Sequence, residues 1–436
     1  MMDDIKIVDP EIVEIIKLEN SRIRNGVELI PSENFVSKAV LQALATTFTN
    51  KYSEGYPHKR YYGGNQNVDS IEDLAIKRAK ELFNCDHVNV QPYSGSPANQ
   101  AVFFALLNLG DKFMGMDLSC GGHLTHGSPV NFSGKFYKCI SYGVDRKTEL
   151  LDYDEIKKNA IKEKPKLVLS GLTAYPRKID FKAFSEIANE VGAYTMADIA
   201  HIAGLVATGL HQSPVPYTDV VTTTTHKTLR GPRGAMIMCR EDVSPRLREK
   251  YKLDPNKNLA KMIDSAVFPG LQGGPHDNVN AAKAVAFKEA LTEEYKDYCL
   301  QIVKNAKALA DELIALGIKL VTDGTDNHLM VIDLRPKGLT GKGKEVQNAL
   351  EEVEIYVNKN TVPYDPATPF NPSGIRLGTP AITTRGFKES EMKEIAKAIA
   401  AVIDNYQNEA VKKKVQQDIL ELCKNFPLYP KFEILK

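Results

Sequence analysis

The chain has 436 residues, of which 43% are hydrophobic and 25% are charged, and it is long enough for about three domains. Its 56 basic and 55 acidic residues leave a net charge of +1. This balance argues against nucleic acid or a membrane surface as a partner, because both require a concentrated basic excess. The six cysteines form no Cys-x-x-Cys pair, and the amino terminus resembles no signal peptide. No apolar run approaches the ~18 residues of a membrane span. We therefore expect a cytoplasmic protein.

The first predicted helix covers residues 10–24, where apolar residues recur at helical spacing between Pro10 and Gly26. Residues 27–70 are rich in turn-forming and aromatic residues, and a loop of that length and composition is typical of a functional segment rather than a linker. A second helix is expected to begin with a cap at Ser70, because apolar residues from Ile71 onward follow a helical period.

Short apolar runs then alternate with helical patterns; the runs are at 87–90, 167–170, 193–197, 220–224 and 235–239. This alternation predicts an α/β domain with a mostly parallel sheet covered on both faces. The pattern changes after about residue 295, with helices at 295–316, 344–353 and 387–405 and strands at 319–321, 329–334 and 374–377. We therefore expect an N-terminal helical arm and loop (residues 1–60), a large domain (61–290) and a small C-terminal α+β domain (291–436).

Ligands of open α/β sheets bind at the carboxyl ends of strands, so the residues that follow each predicted strand are candidates for chemistry. The small residues Ser94, Gly95 and Ser96 precede an apolar helix, which fits either an anion site or an ordinary capped turn. Asp198 ends a buried strand and fits either a helix cap or a partner for a protonated ring nitrogen. Lys227 directly follows another strand and fits either an ordinary surface lysine or an amine nucleophile whose pKa is lowered by burial.

These three turns meet three separate demands of one cofactor. Pyridoxal phosphate needs an anion cup, a carboxylate at its pyridinium nitrogen and a lysine at its aldehyde. The serine-rich turn, Asp198 and Lys227 follow one another along the chain in an order that supplies all three. The residues therefore predict a pyridoxal-phosphate enzyme.

Longer motifs resemble the serine hydroxymethyltransferase family. The segment from Val221 to Gly234, V-T-T-T-T-H-K-T-L-R-G-P-R-G, resembles its cofactor-lysine signature. Other segments similar to the family are P-S-E-N at 31–34, N-K-Y-S-E-G-Y-P at 50–57, K-R-Y-Y-G-G at 59–64, G-G-H-L-T-H-G at 121–127, Q-G-G-P at 272–275 and S-G-I-R-L-G-T at 373–379. Together these segments extend the resemblance from about residue 10 to residue 405.

The resemblance implies a homodimer of the aspartate-aminotransferase fold, with a seven-stranded sheet in its large domain. It implies reversible transfer of a one-carbon unit from serine to tetrahydrofolate, giving glycine and 5,10-methylenetetrahydrofolate through an external aldimine and a quinonoid. The implied cofactor is pyridoxal 5'-phosphate on Lys227, the co-substrate is a reduced folate, and the implied pathway context is one-carbon metabolism and amino-acid biosynthesis.

By matching positions, the resemblance implies roles for individual residues. The catalytic set is Lys227, Glu54, His123, Asp198 and Tyr62. The cofactor set adds Ser94, Gly95, Ser96, Thr173, His201 and His226, with Tyr52 and Gly274 from the partner subunit. Ser32, Tyr61, Tyr62 and Arg376 would bind the amino-acid substrate, and Glu54, Leu118, Gly122, Leu124 and Asn360 the folate. No metal is expected, because no acidic or cysteine ligands accompany the His123-x-x-His126 spacing.

Several alternatives stay open at this point. Within enzymes, the chain could be a folate-independent threonine or β-hydroxy-amino-acid aldolase or an aminotransferase, or could use a modified tetrahydropterin; Glu54 and Asn360 argue against the folate-independent enzymes. A catalytically silent partner protein or RNA binder is disfavoured by the intact catalytic positions. The connector from Gly234 to Gln272 looks longer and more charged than in compact bacterial members of the family. We interpret it as a surface excursion, with an oligomer contact, and hence a tetramer, as the alternative.

Overall fold

The structure is a computed structural model that describes residues 3–429. This chain divides into two compact units. The central unit comprises residues 39–300, and the terminal unit combines the described residues up to Lys38 with those from Gln301 onward. The division into three parts at residues 60 and 290 stays a prediction. None of the helices in the described part combines the length and the apolar character needed to cross a membrane.

The central unit is built on a seven-stranded sheet, which confirms the predicted α/β class. Its strands are β1 (His87–Asn89), β2 (Lys112–Met116), β3 (Lys138–Tyr142), β4 (Leu167–Gly171), β5 (Tyr194–Asp198), β6 (Val220–Thr224) and β7 (Ala235–Cys239). Their spatial order is β1-β7-β6-β5-β4-β2-β3. All neighbours are parallel except β7, which runs antiparallel to both β1 and β6. The sheet therefore gathers the carboxyl ends of β2 to β6 along one edge.

Helices and short irregular elements surround this sheet. The three helices used below are α1 (Gln66–Phe83), α2 (Gly95–Leu106) and α3 (Asp277–Ala290). The other α-helices of the central unit are Lys38–Leu44, Phe132–Phe136, Tyr153–Glu163, Phe181–Val191, Ala203–Ala207, Pro245–Lys250 and Leu259–Ser265, and a long helix, Glu293–Ala315, crosses its C-terminal boundary. Apolar side chains of α2, β2 and β6 form a buried core, in which Phe103 and Phe113 have no measurable exposure.

The terminal unit contains an antiparallel sheet and its own core. Its strands are β8 (Lys319–Leu320), β9 (Leu329–Asp333), β10 (Asn358–Asn360) and β11 (Gly374–Gly378), in the order β8-β9-β11-β10. Its helices are Asp3–Val8, Pro10–Asn25, Gly343–Glu351, Pro380–Thr384, Glu389–Asp404 and Glu409–Lys424. A two-residue parallel bridge joins Val27–Glu28 to Ile355–Tyr356. The N-terminal segment is thus hydrogen-bonded to the C-terminal part of the chain.

Two sequence-based expectations need correction. Helix α1 begins at Gln66 rather than at Ser70, because its first turn buries Val68 and places Asp69 against Arg60. The connector after β7 is only in part a surface excursion: most of its charged residues are exposed, but it also packs Leu247 and other buried apolar residues into the core of the central unit. Its alternative role as an oligomer contact stays a prediction.

Candidate active site

The turns after β5 and β6 lie side by side at the carboxyl edge of the sheet. Strand register pairs Asp198 with Thr222. Beyond the strands, the Thr228 hydroxyl donates to the carbonyl of His201 at 2.9 Å and accepts the amide N–H of Gly204 at 3.0 Å. The turn that contains Asp198 is thereby fastened to the turn that contains the predicted lysine.

Asp198 is held by groups from three directions. Its Oδ2 accepts a hydrogen bond from Asn99 at 2.9 Å and lies 3.1 Å from Nε2 of His126, while its Oδ1 accepts the amide N–H of Ala200 at 3.0 Å. Burial by itself raises the pKa of this carboxyl, but the hydrogen bond and electrostatic interaction with His126, together with the hydrogen bond from Asn99, hold the pKa well below its usual range. The contact to Ala200 is the local cap that the sequence allowed, and the other contacts leave Asp198 an ionised group.

A second set of buried polar residues extends this arrangement. Thr222 donates its hydroxyl proton to Oδ1 of Asn99 at 2.7 Å, and Nδ2 of Asn99 donates to Oγ1 of Thr125 at 2.8 Å. The same Thr125 oxygen lies 2.8 Å from Nδ1 of His123. Sequence reasoning assigned no role to Asn99, Thr125 or His126. Asn99 shares its helix with the polar residues Ser96 and Gln100, so no local sequence signal distinguished it; in the structure it is only 1% exposed.

The serine-rich turn forms the N-terminus of α2. Ser94 is the N-cap residue, yet its hydroxyl makes no capping bond, and both Ser94 and Ser96 are exposed. A Cβ atom at Gly95 would lie 2.8 Å from Cγ2 of Thr224, so the close approach of this turn to the end of β6 requires glycine. His226 follows two residues later, and its buried Nδ1 has no hydrogen-bond partner.

His226 and Lys227 lie in the turn that follows β6. Burial, with the positive charges of Lys227 and Arg233, lowers the pKa of His226 to about 3, so its ring is neutral at physiological pH. Lys227 is 9% exposed, which confirms the predicted burial. Its turn is tight: Gly231 donates its amide N–H to the carbonyl of Thr225 at 2.7 Å.

The loop after β2 carries three of the predicted folate positions. Leu118 and Leu124 are exposed by 39% and 45%, whereas Gly122 is buried. The carbonyl of Gly121 accepts the amide N–H of Thr173 at 2.7 Å, which joins this loop to the turn after β4. Within residues 3–429, no group of three or more His, Cys, Asp or Glu side chains could hold a metal ion.

A cluster of tyrosines surrounds Glu54. The Tyr52 hydroxyl lies 3.4 Å from Oε1 of Glu54, and the rings of Tyr52 and Tyr62 meet edge to face with centroids 5.1 Å apart. The negative charge of Glu54 raises the pKa of Tyr52. A Cβ at Gly274 would lie 3.5 Å from the ring of Tyr52. The Gly274 carbonyl accepts the hydroxyl of Tyr93 at 2.7 Å, so this cluster adjoins the residue that precedes Ser94.

Tyr61 joins this cluster through its main chain, because its amide N–H donates to the carbonyl of Glu54 at 3.0 Å, whereas its ring meets that of Phe268 with centroids 5.6 Å apart.

The remaining predicted residues belong to the terminal unit. Arg376 lies in the middle of β11, is 8% exposed, and donates from Nε to Oδ1 of Asn358 at 3.1 Å. Burial lowers the pKa of Arg376 to about 10. Asn360 ends β10, and its strand partner is Gly374. Ser32 is half-buried in a turn of the N-terminal segment.

The sheet places a buried lysine after β6, an ionised carboxylate after the neighbouring β5 and an open serine-rich turn at the start of α2. This arrangement defines the class of pyridoxal-phosphate enzymes built on a mostly parallel seven-stranded sheet. A family model described as serine hydroxymethyltransferase matches residues 5–399. The chain belongs to the serine hydroxymethyltransferase family. Enzymes of this family are one-carbon transferases that use pyridoxal phosphate as cofactor and tetrahydrofolate as co-substrate, which confirms the predicted enzyme class and cofactors.

Proposed function

We propose that this chain catalyses the reversible transfer of the hydroxymethyl carbon of serine to tetrahydrofolate, giving glycine and 5,10-methylenetetrahydrofolate. The observation that carries the proposal is the buried Lys227 next to the turn of an ionised Asp198 at one sheet edge, in a chain whose family performs one-carbon transfer.

The residues at this edge fit pyridoxal phosphate. When bound, the cofactor supplies an aldehyde for amino groups and a ring that accepts electron density from the substrate. Lys227 would hold the aldehyde. Ser94 and Ser96 offer hydroxyls at an open helix N-terminus, and His226 offers a buried, unpartnered ring nitrogen, so together they suit a phosphate.

Asp198 would keep a proton on the ring nitrogen of the cofactor. A carboxylate can do this only if it stays ionised, and the donors Asn99 and His126 favour the ionised form. His123 is proposed to lie against the cofactor ring, with its orientation set by the contact to Thr125. Thr173 and His201 are proposed to lie near the phenolic oxygen of the cofactor.

Arg376 and Ser32 are proposed to bind the substrate carboxylate. The planar guanidinium of Arg376 can grip a carboxylate through two parallel hydrogen bonds, and its burial makes that ion pair stronger. Glu54 is proposed to move a proton at the serine hydroxyl, a contribution typically worth ~10²–10⁴-fold in rate. Tyr61 and Tyr62 are proposed to contact the amino-acid substrate.

The folate is proposed to contact Glu54 and Asn360 and the loop residues Leu118, Gly122 and Leu124. The exposure of Leu118 and Leu124 on one loop supports this assignment, since it leaves apolar surface open for a pterin.

We also propose a homodimer, in which Tyr52 and Gly274 reach the cofactor of the partner subunit. The exposure of Tyr52, Tyr61 and Tyr62, at 55%, 74% and 48%, supports an aromatic surface that is covered on assembly.

Borohydride reduction tests the cofactor lysine. We expect the reduced holoenzyme to carry one pyridoxyl group on the peptide that contains Lys227, as read by mass spectrometry. Lys283 is the matched internal control, because it is also buried and burial lowers its pKa to about 7. An adduct on Lys283, or no adduct on Lys227, would refute the assignment.

A further inference from the structure

A buried serine–aspartate pair lies directly behind Glu54. The hydroxyl of Ser53 is 2.8 Å from both Oδ1 and Oδ2 of Asp277, although 224 positions separate the two residues. Ser53 has no measurable exposure, and Asp277 is 2% exposed. Burial raises the pKa of Asp277, while the Ser53 hydroxyl and the positive charges of Arg60 and Lys51 oppose that rise. None of the roles proposed above uses this pair.

The main chain on both sides of Glu54 is also fixed. Nη1 of Arg60 donates to the carbonyls of Ser53 and Gly55, at 3.0 and 2.8 Å, and Glu54's own carbonyl accepts the amide N–H of Tyr61 at 3.0 Å. Gly55 has φ +100°, and a Cβ there would lie 2.4 Å from the carbonyl oxygen of Lys59. The backbone next to Glu54 therefore depends on glycine at position 55, because a residue with a Cβ atom would be strained there.

Arg60 is itself held in place by two carboxylates of α1. Its Nε donates to Asp69 at 2.9 Å, its Nη2 donates to Glu72 at 2.7 Å, and its side chain is only 3% exposed. With all these donors satisfied inside the unit, Arg60 anchors the segment but does not select the position of Ser53's side chain. That contact belongs to Asp277.

Asp277 connects the chain segment that carries Glu54 with the glycine loop that faces the Glu54 carboxyl. It is the first residue of α3 and follows shortly after Gly273 and Gly274. A Cβ at Gly273 would lie 3.1 Å from Oε1 of Glu54, so this glycine loop faces the carboxyl group directly. Ser53 points into the unit toward Asp277, whereas the half-buried Glu54 lies against the glycine loop. The Asp277 carboxylate thus links the segment that carries Glu54 to α3, the helix that follows the loop of Gly273 and Gly274.

We propose that Asp277 is a positioning residue, which sets the place of the Glu54 carboxyl through its hydrogen bond to Ser53. The inference rests on the proposed function, in which Glu54 moves a proton at the serine hydroxyl. Proton transfer requires donor and acceptor within hydrogen-bond reach, and a displacement of about 1 Å can cost about 100-fold in rate. Asp277 touches neither substrate nor cofactor in this account.

The test is a double-mutant cycle on the holoenzyme. We expect Asp277→Ala to lower kcat for serine-to-tetrahydrofolate transfer by about 10- to 100-fold, with the serine KM changed by less than about threefold. Asp277→Asn should recover most of the rate, since its amide oxygen still accepts the Ser53 hydroxyl. In a Glu54→Gln background, Asp277→Ala should lower kcat by less than about twofold further, because the effect passes through Glu54.

Ser53→Ala provides a second route if Asp277→Ala folds poorly, and we expect it to show the same loss and the same dependence on Glu54. The exposed Asp297, in the helix that follows α3, supplies the matched control, and Asp297→Ala should leave kcat unchanged. Cofactor absorbance and the thermal midpoint show whether each variant is loaded and folded.

The outcomes distinguish the positioning role of Asp277 from the proton-transfer role of Glu54. If Glu54→Gln lowers kcat but Asp277→Ala and Ser53→Ala do not, or if their losses are fully additive with Glu54→Gln, the positioning role is overturned and the proposed function stands. If Glu54→Gln leaves transfer unchanged, the proton role of Glu54 fails, and the positioning role fails with it.

Discussion

We expect the cofactor-free protein to lose stability in acid, because His226 has a neutral ring that is buried in the folded state. The pKa of His226 is lowered from the ordinary 6.5 to about 3 by burial, with the charges of Lys227 and Arg233. Below pH 6.5 the unfolded chain binds a proton at this histidine that the folded chain does not bind. The free energy of unfolding therefore falls as the pH drops from 6.5 toward 3, and is unaffected by this group above pH 6.5.

The size of this effect follows from the pKa difference. Each pH unit between the two pKa values costs about 1.4 kcal/mol. Lowering the pH from 7.5 to 5.0 crosses about 1.5 units of that window, so His226 should cost the folded state about 2 kcal/mol. His226→Gln removes the titrating ring, and the variant should lose about 2 kcal/mol less than the wild type over the same change in pH.

Urea unfolding of the cofactor-free protein at pH 7.5 and pH 5.0 measures this difference. Circular dichroism is the suitable signal, because the sequence contains no tryptophan. Equal pH dependence in wild type and His226→Gln would refute the reasoning.

Three further predictions test the site. Asp198→Asn should lower kcat by more than about 100-fold, because the amide cannot hold a proton on the cofactor ring, and steady-state kinetics with a check of cofactor content will show it. Arg376→Lys should raise the serine KM by about 10- to 100-fold, since lysine cannot form the two parallel hydrogen bonds; an unchanged KM would place the carboxylate elsewhere. Gly95→Ala should weaken cofactor binding in a spectroscopic titration, and Thr224→Ser, which removes the Cγ2 that the new Cβ would meet at 2.8 Å, should restore it; a Gly95→Ala protein with normal affinity would contradict this contact.

The central strands were predictable because their sequences are distinctive. Strands β6 and β7 are continuous buried runs of apolar and β-branched residues, and they have the bounds that the sequence predicts. Strands β2 and β3 were missed. β2 begins with the exposed Lys112 and contains Gly115, and β3 lies at the edge of the sheet, where four of its five residues are exposed or only partly buried. Such strands lack the apolar run or the strict alternation that identifies a strand.

The candidate site was predictable in part for the same reason. Asp198 and Lys227 follow recognisable strands, so their positions at the carboxyl edge could be inferred from the order of elements. Asn99 and His126 could not be inferred in this way, since their contacts with Asp198 join residues that are 99 and 72 positions apart. Arg376 was identified only through resemblance to a family, because nothing in its local pattern distinguishes it from other strand residues.

Carbon tracing tests the central claim most directly. The holoenzyme is given serine labelled with ¹³C at the hydroxymethyl carbon, with and without tetrahydrofolate, and both products are followed by NMR. We predict that glycine and labelled 5,10-methylenetetrahydrofolate form in equal amounts when tetrahydrofolate is present, and that glycine formation is far slower without it. Glycine released at the same rate in both reactions, with no label in the folate, would contradict the account.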